Sequence, residues 1–185
     1  MKRKIKTVAV YCGHEFGLHP AFVRDAGLMG ELIARNGLNM VFGGSNAGLM
    51  GTVATAALNN GGHVIGISTE YVIAKQEPAH ERIDVKVVRG VNERKQKMFE
   101  LSDAFIIMPG GIGTLNEVTD ILTMQQIGET RKPIFFLNTN RFWAPLHDLI
   151  MDMRSNEFIE TLDVYNVIIS NTPHEIIEAV TKYTF

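Results

Sequence analysis

One run of residues constrains the fold of this chain more than any other: Met108-Pro109-Gly110-Gly111-Ile112-Gly113-Thr114-Leu115-Asn116-Glu117. An apolar segment, residues 104–108, stops at a proline, three glycines follow within four positions, and a helical pattern begins at Thr114. This order predicts a buried strand, a glycine-rich turn and a helix N-terminus. Backbone N–H groups at such a turn, together with the helix dipole, form an anion site that most often takes phosphate. Glycine suits the turn because a side chain would hold the phosphate away from the backbone.

A carboxylate in the first turn of that predicted helix, Glu117, is unusual beside an anion site. A bound phosphate would repel it, because like charges at short range raise the energy of the pair. We therefore expect Glu117 to face an uncharged part of the ligand. This pairing favours a nucleotide that is held by its phosphate and attacked elsewhere.

Strand-like and helix-like segments alternate along the rest of the chain. The pattern predicts strands at residues 7–11, 38–42, 64–67, 85–88, 104–108, 133–137 and 167–169. It predicts helices at residues 20–36, 50–59, 92–101, 114–127 and 145–153, with a last helix capped by Thr172. Residues 69–82 have no clear period and are interpreted as a loop with room for a short helix. Short apolar strands joined by helices predict a single α/β domain over residues 1–185, a Rossmann-like doubly wound parallel sheet with helices on both faces.

Composition excludes several classes of partner. The 185 residues carry 18 basic and 20 acidic side chains, a net charge of −2, which gives no electrostatic footprint for a nucleic acid polymer or an anionic membrane. No apolar run approaches the length that spans a bilayer. The single Cys12, interpreted as a small buried residue, has no partner for an internal disulfide, so a reducing cytoplasmic location is expected. The six histidines are scattered without metal-ligand spacing, so no metal site is predicted.

Two of the predicted strand-to-helix turns are rich in glycine, residues 43–51 and residues 109–113. Ligands of a doubly wound sheet bind beyond the carboxyl ends of the strands, near the switch in strand order. Two such turns on neighbouring strands predict one shared crevice. Neither turn ends in Gly-Lys-Ser/Thr and neither has the spacing G-x-G-x-x-G, so a P-loop hydrolase is disfavoured and a dinucleotide site has weak support.

The basic stretch after the fourth predicted strand, residues 92–98, has two interpretations that spacing alone leaves open. It is either a solvated helix face with ordinary charge pairing, or it brings Arg94 to the same sheet edge as Glu117. In the second case Arg94 could hold a phosphate or orient a carboxylate through two parallel hydrogen bonds.

Taken together, three stretches resemble the LONELY GUY family: Gly43-Gly44 through Gly48-Leu49-Met50-Gly51, Glu93-Arg94-Lys95 with Met98, and the string from Pro109 to Glu117. Members of this family are cytokinin-activating phosphoribohydrolases that are often labelled lysine decarboxylases. The resemblance implies a Rossmann-like homodimer that hydrolyses the N-glycosidic bond of a nucleoside 5′-monophosphate. The products would be a free base and ribose 5-phosphate, and no metal or redox cofactor would be needed.

The resemblance also implies roles for particular residues. Glu117 and Arg94 match the catalytic pair of the family. The matching phosphate-binding and nucleotide-binding positions are Gly110, Gly111, Gly113, Thr114, Gly43, Gly44, Gly48, Lys95 and Met98. Nothing in the sequence suggests pyridoxal phosphate, so the decarboxylase label has no chemical basis here.

Departures from the family pattern bear on the substrate. His14-Glu15 stand where many relatives have two serines, and Met124 stands where relatives have a tryptophan. Both changes are expected near the base pocket or a dimer contact. The base therefore stays open among adenine, an N6-substituted adenine and another purine.

Two other functions remain compatible with the sequence. One is a carrier of a nucleotide-like compound or of the molybdenum cofactor, because such carriers resemble this fold and a fold does not fix a function. The other is a nicotinamide-dependent oxidoreductase, which the α/β pattern permits and the missing dinucleotide fingerprint argues against.

Overall fold

A computed structural model describes residues 3–74 and 80–185. In these ranges one sheet of seven strands runs through the molecule, and every neighbouring pair is parallel. Its order is β4-β3-β2-β1-β5-β6-β7. The strands are β1 (Thr7–Tyr11), β2 (Asn39–Phe42), β3 (Val64–Thr69), β4 (Asp84–Val88), β5 (Ala104–Ile107), β6 (Ile134–Leu137) and β7 (Val167–Ser170).

The described residues also contain helices that follow the strands in turn. They are α1 (Pro20–Arg35), α2 (Gly48–Asn59), α3 (Glu70–Ile73), α4 (Val91–Leu101), α5 (Ile112–Gln126), α6 (Ala144–Ser155) and α7 (Pro173–Lys182), with a 3₁₀ turn at Thr139–Arg141. The predicted α/β Rossmann-like architecture is confirmed. The short helix allowed within residues 69–82 is α3, and residues 75–79 of that predicted loop lie outside the described residues.

Helix boundaries differ from the prediction at the two glycine-rich turns. α5 begins at Ile112 rather than Thr114, because Gly111 takes the extended N-cap conformation and Gly113 joins the first helical turn. α2 likewise begins at Gly48 rather than Met50. Both glycine-rich segments are therefore part turn and part helix N-terminus, so their backbone N–H groups point toward the carboxyl edge of the sheet.

Apolar side chains cover both faces of the sheet. Val8 and Val10 of β1 pack in one buried cluster with side chains of α1, α2 and α7, and Cys12 is buried there as predicted. Ala9 and Tyr11 alternate to the other face, in a second buried cluster with side chains of α4 and α5. This alternation is the period-two pattern of a strand covered on both sides.

The strand order reverses direction at the middle of the sheet. From β1 the chain winds outward through β2 and β3 to β4, then returns to β5 on the other side of β1 and winds outward to β7. The carboxyl ends of β1 and β5 therefore meet at the topological switch point, where doubly wound folds bind ligands. No helix in the described ranges is both long enough and apolar enough to cross a membrane.

Candidate active site

Three loops are joined by backbone hydrogen bonds at the switch point. The N–H of Gly13, after β1, donates to the carbonyl of Pro109 at 3.0 Å, and the N–H of Met50 in α2 donates to the carbonyl of Gly13 at 3.2 Å. A Cβ added to Gly48 would lie 2.2 Å from the backbone of His14, and its φ of +56° also favours glycine. The two glycine-rich turns thus meet around the loop after β1, and the crevice predicted between them is present.

The N-terminus of α5 opens into this crevice. Gly111 is the N-cap residue, and no side chain makes a capping hydrogen bond there. No heavy atom lies within 4 Å of a Cβ built on Gly111 or on Gly113, whereas a Cβ on Gly110 would lie 2.2 Å from Oγ1 of Thr114. Gly110 therefore permits the tight turn, while Gly111 and Gly113 keep space free above uncapped N–H groups. This arrangement favours a bound anion.

A cavity of about 410 Å³ lies over this helix N-terminus. It is within the size range of sites that hold small molecules. Among the residues that sequence analysis selected, its walls include Gly43, Arg94, Gly111, Gly113, Thr114 and Glu117. His14, one of the departures from the family pattern, lies on the same wall.

Arg94 and Glu117 meet in this cavity. Nη1 of Arg94 lies 3.5 Å from Oε1 of Glu117, and their side chains are only 14% and 10% exposed. Nε of Arg94 donates to the carbonyl of Ile67 at 2.9 Å, and Nη2 donates to the carbonyl of Gly43 at 3.1 Å. A Cβ on Gly43 would lie 1.9 Å from Nη2, so glycine is needed to admit the guanidinium. Of the two interpretations of the basic stretch, the one that brings Arg94 to Glu117 is confirmed.

Burial changes the acidity of Glu117. Desolvation raises the pKa of this carboxyl group to about 7, and Arg94 and Lys95 lower the pKa by less than burial raises it. The negative charge of Asp120 adds to the increase. A carboxyl group with a pKa near neutrality can accept and release a proton at physiological pH, which is the property required of a general base.

A second cavity of about 250 Å³ lies on the other side of Glu117. Phe99, Ile121 and Met124 give it an apolar wall, and Lys95 lies at its polar side. Nζ of Lys95 lies 2.9 Å from Oδ1 of Asn116 and 2.5 Å from Oδ2 of Asp120. Met124, the other departure from the family pattern, therefore lies on the wall of a cavity beside the candidate carboxylate.

The selected residues are not all at the cavities. Gly44, with a φ of +73°, shapes the turn after β2. Met98 is fully buried in the apolar cluster beneath α4 and is not among the residues that line either cavity, so a direct contact between Met98 and the ligand stays a prediction. Its side chain points from α4 toward the sheet, which the sequence motif could not indicate.

Tyr11 lies in none of the sequence motifs that indicate the site. This residue ends β1, and it lines both cavities together with Glu117. The available signal was a hydroxyl group on the last residue of a strand, at the edge where ligands bind. Its place in an apolar run concealed that signal.

Comparison with known proteins gives a consistent result. A family model described as "possible lysine decarboxylase" matches residues 50–180. The chain is 41% identical over 155 residues to a cytokinin riboside 5′-monophosphate phosphoribohydrolase of Rhodococcoides fascians, an alignment that covers 83% of this chain and 78% of that protein. It is 33% identical to the phosphoribohydrolase of this name from Oryza sativa subsp. japonica, over 98% of this chain and 75% of the rice protein.

Solved structures share the fold over nearly the whole length. A molybdenum cofactor binding protein from Rippkaea orientalis has a TM-score of 0.70 and 27% identity, with 96% of each chain covered. The Moco carrier protein of Chlamydomonas reinhardtii has a TM-score of 0.67 and 22% identity, again with 96% of each chain covered. At 22% identity the second match shows the fold alone.

Proposed function

The chain belongs to the LONELY GUY family of cytokinin riboside 5′-monophosphate phosphoribohydrolases, and we propose that it hydrolyses the N-glycosidic bond of a purine nucleoside 5′-monophosphate. The substrate is AMP or an N6-substituted AMP, and the products are the free base and ribose 5-phosphate. One observation carries this proposal: a buried carboxylate held by an arginine lies in the same cavity as an uncapped, glycine-lined helix N-terminus.

In this proposal the phosphate binds at the start of α5. Gly111 and Gly113 leave the approach open, Gly110 makes the turn, and the hydroxyl of Thr114 adds a polar contact. The helix dipole and the free N–H groups favour the anion there. Fixing the phosphate orients the ribose. Much of the translational and rotational entropy is therefore lost on binding, before the chemical step.

Glu117 acts at the anomeric carbon. Breaking the C1′–N9 bond sends its electron pair to the purine and leaves oxocarbenium-like positive charge on the ribose, as in glycoside hydrolysis. Ionised Glu117 stabilises that charge and accepts a proton from the attacking water, whose oxygen bonds to C1′. Arg94 keeps the carboxylate correctly turned, because two backbone carbonyls fix its guanidinium.

The base extends past Glu117 into the smaller cavity. The apolar wall formed by Phe99, Ile121 and Met124 suits a purine or an N6 substituent. Lys95, held by Asp120, lies at the rim and contributes polar contacts to the nucleotide. Gly43, Gly44 and Gly48 act indirectly, by admitting Arg94 and shaping the loops around the nucleotide.

The proposal extends to assembly and location. The whole chain acts as one domain, because a single sheet takes strands from residue 7 to residue 170. Two copies associate, supported by the exposed apolar side chains of Ile112 and Ile127 at the two ends of α5. A reducing cytoplasmic location fits the lone buried Cys12. Light scattering during gel filtration measures the assembly, and a monomer mass would refute the dimer.

The direct test is to incubate the purified protein with AMP and with N6-isopentenyl-AMP, and to quantify free base and ribose 5-phosphate by chromatography. Glu117→Gln removes the charge without changing the shape, and we expect it to lower the rate by roughly 10²–10⁴-fold. Glu178→Gln is the matched control, because Glu178 is an exposed residue of α7 whose recorded partner is Lys182. Base release that persists at the original rate in Glu117→Gln would contradict the assigned role.

A second candidate function is carriage of a molybdenum cofactor, and the likeness to the binding protein from Rippkaea orientalis favours it. A carrier only has to bind its cofactor and does not require a reactive carboxylate. Carriage therefore does not explain the buried pair of Arg94 and Glu117. Tight cofactor binding, with no base released from either monophosphate, would establish carriage in place of hydrolysis.

A further inference from the structure

A tyrosine shares the border between the two cavities with the candidate catalytic carboxylate. Tyr11 and Glu117 are the two residues that line both cavities. Tyr11 is 3% exposed, and its hydroxyl has no hydrogen-bond partner among the described residues. A buried phenol usually finds a partner. This hydroxyl is therefore available to a ligand that spans the border.

A column of stacked rings fixes the direction of the tyrosine. The ring of Tyr11 stacks on that of Phe105, with centroids 5.9 Å apart and an interplanar angle of 11°. Phe105 in turn stacks on Phe99 at 5.8 Å, and Nζ of Lys132 lies 4.0 Å from the centroid of the Phe99 ring. The ring therefore has little conformational freedom to lose when its hydroxyl makes a hydrogen bond in the reaction.

The surroundings keep this hydroxyl protonated. Burial raises the pKa of Tyr11 far above its ordinary value, and the negative charge of Glu117 raises it further. Arg94 opposes this shift but does not cancel it. The group is a neutral hydrogen-bond donor throughout the pH range in which Glu117 ionises.

The nearby cationic side chains are partly engaged by protein acceptors. Each nitrogen of the Arg94 guanidinium faces a protein acceptor, namely the carbonyls of Ile67 and Gly43 and the carboxylate of Glu117. The ammonium of Lys95 lies between Asn116 and Asp120. When negative charge develops on a departing base at the border, the hydroxyl of Tyr11 is a neutral donor beside Glu117 that no acceptor among the described residues engages.

We propose that the hydroxyl of Tyr11 donates a hydrogen bond to the base as it departs, which makes Tyr11 a further catalytic residue. This inference rests on the proposed hydrolase function. The electron pair of the C1′–N9 bond moves onto the purine, and the phenol stabilises that charge while keeping its own proton. The attacking water gives its hydroxide to C1′ and its proton to Glu117, and that proton then neutralises the base. Glu117 and Tyr11 thus serve opposite sides of the breaking bond.

The test uses two substrates of similar shape that differ in the acidity of the leaving base. Tyr11→Phe removes the hydroxyl and leaves a ring that can keep the stack on Phe105. With AMP, we expect kcat to fall roughly 10–100-fold, the value of a hydrogen bond to a charged group. With 6-chloropurine riboside 5′-monophosphate, the base carries negative charge more readily, and the loss should shrink to a few-fold. KM should change little for either substrate, because the bond strengthens only in the transition state.

A tyrosine elsewhere and a pH profile separate this role from a structural one. Tyr165→Phe changes a half-buried tyrosine in the loop before β7 and should leave both rates unchanged. Tyr11→Phe should keep the pH at which the rate rises, because it leaves Glu117 as the ionising group. Equal losses with both substrates, or a shifted pH profile, would mean that Tyr11 acts through Glu117 and would overturn the proposal. Unchanged rates would overturn it as well.

The wild-type protein keeps this test distinct from that of the proposed function. If it releases no base from either monophosphate, the hydrolase function itself fails, and the role of Tyr11 fails with it. If it releases base and Tyr11→Phe matches it, only the inference about Tyr11 fails.

Discussion

Replacing Glu117 by glutamine should stabilise the fold at alkaline pH while it removes activity. The ionised carboxylate of Glu117 is 10% exposed, and the nearest guanidinium nitrogen lies at 3.5 Å, longer than a close charge-assisted hydrogen bond. Taking a charge out of water costs free energy that an imperfect partner does not return. Glutamine fills the same space without the charge.

The size of this effect follows from the pKa of Glu117. Burial raises it from 4.5 to about 7. The folded state therefore binds this proton more tightly than the unfolded state does. The contribution of Glu117 to stability is greatest below the unfolded pKa of 4.5, falls as pH rises, and levels off above the folded pKa of about 7. By linkage, the wild type should lose about 2.5 kcal/mol of unfolding free energy between about pH 5 and about pH 8 that the variant does not lose.

Urea denaturation of both proteins, followed by circular dichroism at three pH values across this range, measures the difference. Other groups titrate in both proteins, so their effects cancel when wild type and Glu117→Gln are compared. The gap in unfolding free energy should widen in favour of the variant as pH rises. A gap that stays constant, or a variant that loses stability faster than wild type, would refute the claim that desolvation outweighs the attraction of Arg94.

Three further predictions follow from the cavities and their charges. For AMP hydrolysis, kcat/KM should fall about tenfold per pH unit below about pH 7, because protonated Glu117 is inactive; a flat acid limb would contradict this. Gly113→Ala should raise the KM for AMP roughly tenfold and leave the melting temperature equal or higher, because its methyl group enters open space above a helical position; an unchanged KM would place the phosphate elsewhere. Met124→Trp should narrow the smaller cavity and lower kcat/KM for N6-isopentenyl-AMP more than for AMP. Equal effects on both substrates would show that the base does not bind in that cavity.

The sheet could be predicted from the sequence because apolar runs of strand length, separated by helical periods and glycine, leave few arrangements that bury them. The prediction was less accurate at Gly111 and Gly48, where α5 and α2 begin earlier than predicted. Glycine is common just after the end of a helix and has a low propensity for helix interiors, so a glycine favours a later helix start in a sequence-based prediction. At the start of α5, Gly111 and Gly113 leave open space above the helix N-terminus, whereas at the start of α2 Gly48 admits the backbone of His14.

The candidate site was only partly accessible from sequence. Arg94 and Glu117 could be paired because parallel strands deliver their following residues to one sheet edge. The side-chain direction of Met98 depends on how α4 packs on the sheet, and the sequence motif does not indicate that packing. The alternation of side chains along β1 predicts only the face of the sheet on which Tyr11 lies. Its position between the two cavities is visible only in the three-dimensional structure.

In the proposed reaction, one substrate is held by its phosphate at the start of α5 and cleaved at C1′ by Glu117. Comparing kcat/KM for AMP with that for adenosine, by release of adenine from the wild type and from Glu117→Gln, tests both parts in one assay. We expect the wild type to prefer AMP by roughly 10³-fold or more, because the phosphate supplies the binding energy that orients the ribose. Equal values for AMP and adenosine would contradict it.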